Sequence, residues 1–222
     1  MCARRWILYV AAATIILAGE LALAFYSRLP HSDIVAGFLL GPILTAITNV
    51  HVANDLHAAS MTARQRWERI LERLWAVIVI DFIAVLVMTV GTYAMAFAGV
   101  DLIGGLILGA FAFMIAAAIV YADVYASLEP EVSTLTVVPR AFLRSIVLGM
   151  LDFRRALALL AIQVLISTAL QALALFLDAK HVAHSQIWGG LPLGTFLIVP
   201  LSALTTVIYL DLAARERQTA RK

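Results

Sequence analysis

The chain has 222 residues, of which 63% are hydrophobic and only 14% are charged, and its mean hydropathy is +0.97. Soluble domains contain about 45–50% apolar and about 25% charged residues, so this composition excludes an ordinary water-soluble domain and favours a membrane protein. The formal net charge of +2 is small, and it does not indicate a nucleic-acid-binding protein. A single cysteine, Cys2, excludes an internal disulfide.

Six apolar stretches are long enough to cross a bilayer as helices, because a span needs about 20 residues that each rise about 1.5 Å. They cover residues 6–26, 34–52, 74–98, 102–124, 156–177 and 187–210. Backbone groups in lipid must bond within their own segment, so we predict helices here and not strands. The predicted fold is all-α: a single transmembrane domain over residues 1–222, with six spans arranged as three antiparallel hairpins.

The basic residues predict the orientation. Fourteen of the sixteen Lys and Arg residues lie before the first span, after the last, or in the connections that follow spans two and four; the exceptions are Arg28 and Lys180. The positive-inside rule places these segments, and therefore both termini, in the cytoplasm. The first stretch is longer than the apolar part of a cleaved signal peptide, so we interpret it as a retained anchor. High Ala and Leu content favours a bacterial cytoplasmic membrane.

A shift of 68 residues aligns two parts of the chain. It places Gly37 and Gly41 on Gly105 and Gly109, and Asp55 on Asp123. A looser third copy has Gly190 and Gly194. The predicted hairpin repeats therefore cover about 6–60, 74–130 and 156–214. Since glycines spaced four apart allow close approach of helix backbones, we predict that these six glycines pack helices together.

The two cytoplasmic connections, about 61–75 and 137–154, have apolar residues at helical spacing beside arginines. Trp67, Ile70 and Leu71 begin the first stripe, and Phe142, Leu143 and Ile146 begin the second. Both predict amphipathic helices in the membrane interface. The alternative is that each connection simply extends the span that follows it.

Two acidic residues lie inside predicted spans, Glu20 in the first and Asp81 in the third. An ionisable group costs about 2.5–3.5 kcal/mol at the centre of a membrane helix, so each is a candidate functional site as well as a candidate structural ion pair or hydrogen bond. Gln163, Gln171 and Asn49 are polar residues in spans, and we expect them to form interhelical hydrogen bonds.

Three aspartates recur near the cytoplasmic ends of the even-numbered spans. Asp55, Asp123 and Asp211 suggest ion pairs with nearby arginines or, if the hairpins converge, an interfacial polar cluster. His51 lies one turn before Asp55 and belongs to the same candidate cluster.

The remaining histidines give little support to a cofactor. His51 with His57, and His181 with His184, lack a third ligand at convincing spacing, so we predict no metal site and no haem. The motifs of serine hydrolases, zinc peptidases and phosphate-binding loops are missing from the sequence. We therefore predict neither a catalytic residue nor a cofactor.

The hairpin arrangement, with a last span that ends in Tyr209-Leu210-Asp211-Leu212 and Arg215, resembles a known superfamily. It is similar to the six-helix membrane domain that accompanies some glycerophosphoryl diester phosphodiesterases, and to free-standing relatives of that domain. The resemblance covers the whole topology, but the first copy has Ala53-Asn54-Asp55 without the tyrosine. The chain has no phosphodiesterase barrel, so the resemblance implies a membrane domain without hydrolase activity.

Three functions remain open. The first is a non-enzymatic accessory subunit or membrane scaffold, whose partners are lipids and other membrane subunits or further copies of itself. The second is a small transporter or channel for ions or lipid-like substrates that uses Glu20 and Asp81. The third is a haem- or metal-binding electron-transfer protein that uses His51 and His57.

Overall fold

The computed structural model describes residues 3–26, 32–56, 61–97, 102–129 and 136–219. Every regular element in these ranges is an α-helix, as the composition predicts. The helices are α1 (Ala3–Tyr26), α2 (Ser32–Leu56), α3 (Ala63–Phe97), α4 (Leu102–Ile119), α5 (Ala122–Leu128), α6 (Val137–Leu151), α7 (Phe153–Ala179) and α8 (Ser185–Thr219). Helices α4 and α5 are two parts of one interrupted helix.

Three helices of the described chain are long and apolar enough to cross a membrane. They are Leu102–Leu128 (α4 with α5), Phe153–Ala179 (α7) and Ile187–Gln218 (most of α8). In α1 the apolar part is shorter and covers Ile7–Leu23, and α3 opens with a charged segment. The prediction of a helical membrane protein is confirmed, whereas the prediction of six spans is not.

The two amphipathic connections differ in structure. The first is not a separate helix, because α3 continues from Ala63 through the predicted third span to Phe97. Neither glycine nor proline interrupts the chain from Ala63 to Val90, so nothing breaks the helix there. The second connection forms a helix of its own, α6, which ends at Leu151 because Asp152 leaves the helical conformation.

The helices pack in the three pairs expected for antiparallel hairpins: α1 with α2, α3 with α4, and α7 with α8. Further contacts of α2 with α3, of α4 with α7, and of α8 with α1 and α2 join these pairs into a ring. Inside one end of the ring lies α5, which contacts α2, α3, α6 and α8. Tyr121, Ala122, Val124 and Ala126 are completely buried there, so this short segment forms the centre of the core.

The same end of the bundle carries most of the described arginines, and we call it the basic end. It comprises the start of α3, the end of α5, the α6–α7 junction and the end of α8. Asp152 joins α6 to α7 and accepts a hydrogen bond from the Arg155 amide. Arg155 also donates to Asp211 on α8 at 2.6 Å, and Arg144 on α6 forms a two-pronged ion pair with Glu216. These contacts tie α6 and α7 to the end of α8.

Candidate functional site

A cavity of about 440 Å³ lies between α3, α4 with α5, and α7. Helices α3 and α7 both pack against α4, and within the described chain they have little or no direct packing with each other. The interrupted helix therefore forms the floor, and α3 and α7 form two walls. The polar residues that line the cavity are Asp81, Thr89, Asp123, Gln163, Ser167 and Gln171.

The two carboxylates of the cavity come from different hairpin helices. Asp81 projects from the α3 wall and Asp123 from the floor, and both line the same cavity. Among the contacts of the described residues, Asp81 has no hydrogen-bond or ion-pair partner. Two like charges in a membrane helix bundle repel each other, and a cation or a shared proton between them relieves that repulsion.

A break in the helix determines where Asp123 lies. Helix α4 ends at Ile119 and α5 begins at Ala122, and the side chain of Ser145 on α6 is inserted at this point. Its hydroxyl donates to the Ala118 carbonyl at 2.7 Å and accepts from the Tyr121 amide at 3.0 Å. The hydroxyl thus satisfies backbone groups that the interruption releases, as a buried helix break requires.

Asn49 on α2 contacts α5, the helix that carries Asp123. Asn49 is completely buried; its amide donates to the Ser127 hydroxyl at 3.3 Å, and that hydroxyl donates to the Asp123 backbone carbonyl at 2.7 Å. Its carbonyl oxygen accepts from Thr206 on α8 at 2.9 Å. The amide thus links α2, α5 and α8, so the predicted role of Asn49 in interhelical hydrogen bonding agrees with these contacts.

The polar residues of the two walls are spaced along the length of the cavity. On α7, Gln163, Ser167 and Gln171 follow one another at intervals of four residues and therefore share one helix face. On α3, Thr89 lies two turns beyond Asp81, a rise of about 12 Å. Because both helices begin at the basic end, Asp81 and Gln163 lie nearer to that end than Thr89 and Gln171 do. We call this lengthwise cavity the polar furrow.

Glu20 lies elsewhere, so the structure does not bring together the two acids predicted as one intramembrane site. It is 1% exposed, in the seam between α1 and α8. Its carboxylate is hydrogen-bonded to the Thr195 hydroxyl, which also lies 2.8 Å from the Leu191 carbonyl oxygen.

The members of the predicted interfacial cluster have different described partners. Asp123 faces the polar furrow, whereas Asp211 pairs with Arg155 and Arg215, at 2.6 and 2.8 Å. The His51 ring nitrogen lies 2.8 Å from the Ile47 carbonyl oxygen of the same helix. Asp55 is half-buried near the end of α2. The predicted ion pairing with arginines therefore fits Asp211, whereas Asp123 lines the same cavity as Asp81.

Three of the predicted packing glycines, Gly41, Gly190 and Gly194, do not make the tightest helix contacts. A Cβ atom at Gly41 or Gly194 would make an ordinary contact of 3.6 or 3.7 Å with a side chain, and at Gly190 it would meet nothing within 4 Å. In contrast, a Cβ at Gly189 would lie 2.5 Å from the Ala174 Cα atom. For Gly37 the side-chain surroundings lie outside the described residues. Gly105 is buried and Gly109 is half-buried in α4.

Metal binding gains no support from the described residues, which include no group of three or more His, Cys, Asp or Glu arranged to hold an ion. His181 and His184 lie in the turn between α7 and α8, both with a φ of 57°. His57 lies outside the described residues, so its pairing with His51 stays a prediction.

Sequence reasoning missed the contributions of Thr89, Ser145 and Ser167 to this site. The four-residue spacing of Gln163, Ser167 and Gln171 in an otherwise apolar helix is a signal that identifies the furrow face of α7. Ser145 gives no such signal, because its role depends on a break in a distant helix.

Comparison with protein-family models, curated proteins and solved structures found no match. The resemblance to the six-helix membrane-domain superfamily therefore stays a prediction.

Proposed function

We propose that the protein is a small, non-enzymatic membrane transporter that binds a positively charged substrate between Asp81 and Asp123. The observation that carries this proposal is that two carboxylates from different helices open onto one cavity. Buried acids in membrane helices are costly and are typically found where ions, protons or polar substrates move. The cavity also has the size of a ligand site, since such sites have volumes of roughly 300–1,000 Å³.

The surroundings of the two carboxylates suit a substrate better than a fixed ion pair. Every described arginine is in α1, in the first part of α3, in α6, at the start of α7 or at the end of α8, and none lines the cavity. The remaining polar groups are amides and hydroxyls, which stabilise a cation through oxygen atoms without binding it permanently. A site that loads and unloads needs this balance of charge attraction and weak additional contacts.

The proposal includes the membrane topology. We infer six membrane spans. Three are the helices that are long and apolar enough to cross a membrane, and the others are α1, α2 and the later part of α3. The basic end lies in the cytoplasm, and the membrane is that of a bacterium. Cysteine labelling from one side of sealed vesicles tests this topology, with Cys2→Ser as the background. Arg217→Cys should react only from the cytoplasmic side, and Val182→Cys only from the opposite side.

The transport proposal is tested with the full chain reconstituted into liposomes on a solid-supported membrane. Application of a panel of organic cations should give a substrate current that Asp81→Asn and Asp123→Asn each reduce by about tenfold or more, since each loses one charge-assisted contact. Glu68→Gln is the matched control, because Glu68 is an exposed acid paired with Arg64 outside the cavity. Absence of current for every cation, or equal currents in all variants, would refute the proposal.

The second candidate function is an accessory subunit or scaffold. It is favoured by the exposed polar side chains of Ser167 and Gln171 on α7, because a polar residue on the outside of a membrane helix can be satisfied by a neighbouring protein helix. Native mass spectrometry after gentle extraction decides this point. A polypeptide that remains bound in fixed ratio supports the subunit, whereas a protein that is isolated alone and gives substrate currents supports the transporter.

A further inference from the structure

The polar furrow is not enclosed by the bundle. Its floor is buried at Ala116 and Ile119, but Thr89, Ser167 and Gln171 on its walls are exposed on the outside of the bundle. The furrow therefore opens sideways between α3 and α7, and the end nearest the outer turn is the most open.

The surfaces on both sides of this opening are apolar. On α7, Leu175 is exposed by 64%, and on α3 Val85, which lines the cavity, is exposed by 42% and Val90 by 52%. Such residues are compatible with lipid chains, whereas exposed hydroxyl and amide groups in hydrocarbon are costly without a partner. A molecule that satisfies both surfaces has a polar head and an apolar chain.

We propose that the substrate is an amphiphile with a cationic ammonium headgroup, which reaches Asp81 and Asp123 sideways from the bilayer between α3 and α7. This inference rests on the proposed transport function and specifies its substrate class. The headgroup moves along the amides and hydroxyls of the furrow towards the two carboxylates. The apolar chain stays outside, against the exposed Leu and Val side chains of the walls.

The dimensions of the furrow favour an organic headgroup over a bare ion. A water molecule occupies about 30 Å³ of liquid, so a cavity of about 440 Å³ is far larger than one small ion requires. A metal ion also needs all its ligands within about 2.0–2.6 Å. The polar groups here extend over two helical turns, about 12 Å, and a single ion does not contact them together.

The experiment measures binding of radiolabelled tetradecyltrimethylammonium to the full chain in nanodiscs, with empty nanodiscs subtracted. Saturable binding should be displaced by unlabelled compound, much less by the chainless tetramethylammonium, and not by tetradecyl sulfate. Ser167→Leu and Gln171→Leu narrow the opening, and Asp81→Asn removes a carboxylate. Each should weaken binding by about tenfold or more, since each removes a principal contact.

Thr168→Val is the matched control. Thr168 is the neighbour of Ser167 and is equally exposed, but its hydroxyl donates to the Val164 carbonyl of its own helix at 2.8 Å, and it does not line the furrow. This variant should bind as the original chain does. Circular dichroism and thermal unfolding identify a variant that fails to fold. If Ser167→Leu or Gln171→Leu fails to fold, the other of these two substitutions tests access through the opening.

The outcomes separate the two proposals. If tetramethylammonium binds as tightly as the amphiphile, the substrate is a water-soluble cation; the inference fails and the transporter stands. If Asp81→Asn abolishes binding while both opening variants keep it, sideways access is wrong. If neither cation binds saturably and no organic cation gives a current, both proposals fail. If a copurified protein helix crosslinks to residue 171, that helix covers the opening and the inference fails.

Discussion

The Ser145 hydroxyl on α6 donates a hydrogen bond to the Ala118 carbonyl oxygen, 2.7 Å away, at the point where α4 ends. The Ser145 hydroxyl oxygen in turn accepts a hydrogen bond from the Tyr121 amide on the other side of the break. One side chain thus replaces backbone bonds that a continuous helix would make itself. Asp123 follows Tyr121 by two residues, so these hydrogen bonds hold the backbone next to the acid.

Ser145→Ala should therefore destabilise the protein and loosen the candidate site. It leaves the buried Tyr121 amide and the half-buried Ala118 carbonyl without this partner, which costs about 1–3 kcal/mol. We expect a lower free energy of unfolding and faster hydrogen exchange at the Tyr121 amide. Thr14→Val is the control, because the Thr14 hydroxyl is exposed and bonds only to the Val10 carbonyl of its own helix. Unchanged exchange at Tyr121 would show that Ser145 does not hold the break.

Asn49 and Thr206 should be energetically coupled. The Thr206 hydroxyl donates to the Asn49 carbonyl oxygen at 2.9 Å, and both residues are completely buried. A double-mutant cycle with Asn49→Ala and Thr206→Val measures this bond between α2 and α8. Polar contacts between membrane helices average about 0.6 kcal/mol in such cycles, with a maximum of about 1.7 kcal/mol, and we expect a coupling energy in that range. A coupling of zero would contradict the contact.

Gly189 and Gly190 should respond in opposite ways to alanine. A Cβ at Gly189 would lie 2.5 and 2.7 Å from the Cα and N atoms of Ala174, so α7 and α8 must move apart, whereas at Gly190 it meets nothing within 4 Å. We expect Gly189→Ala to cost about 1–3 kcal/mol. Gly190→Ala should be neutral or stabilise by up to about 1 kcal/mol, because alanine has the higher helix propensity. Thermal unfolding in detergent measures both changes.

A second substitution sharpens this comparison. Ala174→Gly should not restore the stability of Gly189→Ala, because the Cα and N atoms of residue 174 remain in place. Full restoration would mean that the contact is made by the Ala174 side chain and not by the backbone. Equal losses at the two glycines would show that the helix crossing differs from the one described.

The sequence was sufficient for the fold class and insufficient for the relations between helices. Apolar length and the distribution of arginines identify a helical membrane protein, because the bilayer acts on each segment separately. The repeat suggested that Asp123 corresponds to Asp211, and both do lie near the basic end. Yet Asp211 faces Arg155, while Asp123 follows a break and faces Asp81. A repeat predicts the path of each hairpin, but it does not predict which side chains of the two helices of a hairpin meet.

Helix boundaries show the same limit. The apolar stripe that begins at Trp67 is amphipathic, but an amphipathic pattern does not state whether the helix stops. In α3 nothing stops it before Phe97, whereas Asp152 ends α6 by capping the next helix. The glycine motifs were similarly ambiguous, since close packing occurs at Gly189 and not at Gly190. One residue corresponds to 100° around a helix, and the sequence alone does not fix that rotation.

Glu20 should be structural rather than part of the transport path. Its carboxylate is hydrogen-bonded to Thr195, which has one hydroxyl hydrogen and also lies 2.8 Å from the Leu191 carbonyl oxygen. Glutamine can donate its own N–H to the Thr195 oxygen and leave the hydroxyl hydrogen for Leu191. We therefore expect Glu20→Gln to preserve stability, and Glu20→Ala to cost about 2 kcal/mol or more by loss of the bond and creation of a cavity.

The currents of these variants separate two locations for the transport site. If the substrate moves along the polar furrow, Glu20→Gln should keep the full cation current under conditions in which Asp81→Asn loses it, because Glu20 lies in the α1–α8 seam. A stable Glu20→Gln protein without current would move the path to that seam. The two acids would then act at separate sites of one transport cycle, and the furrow alone would be insufficient for transport.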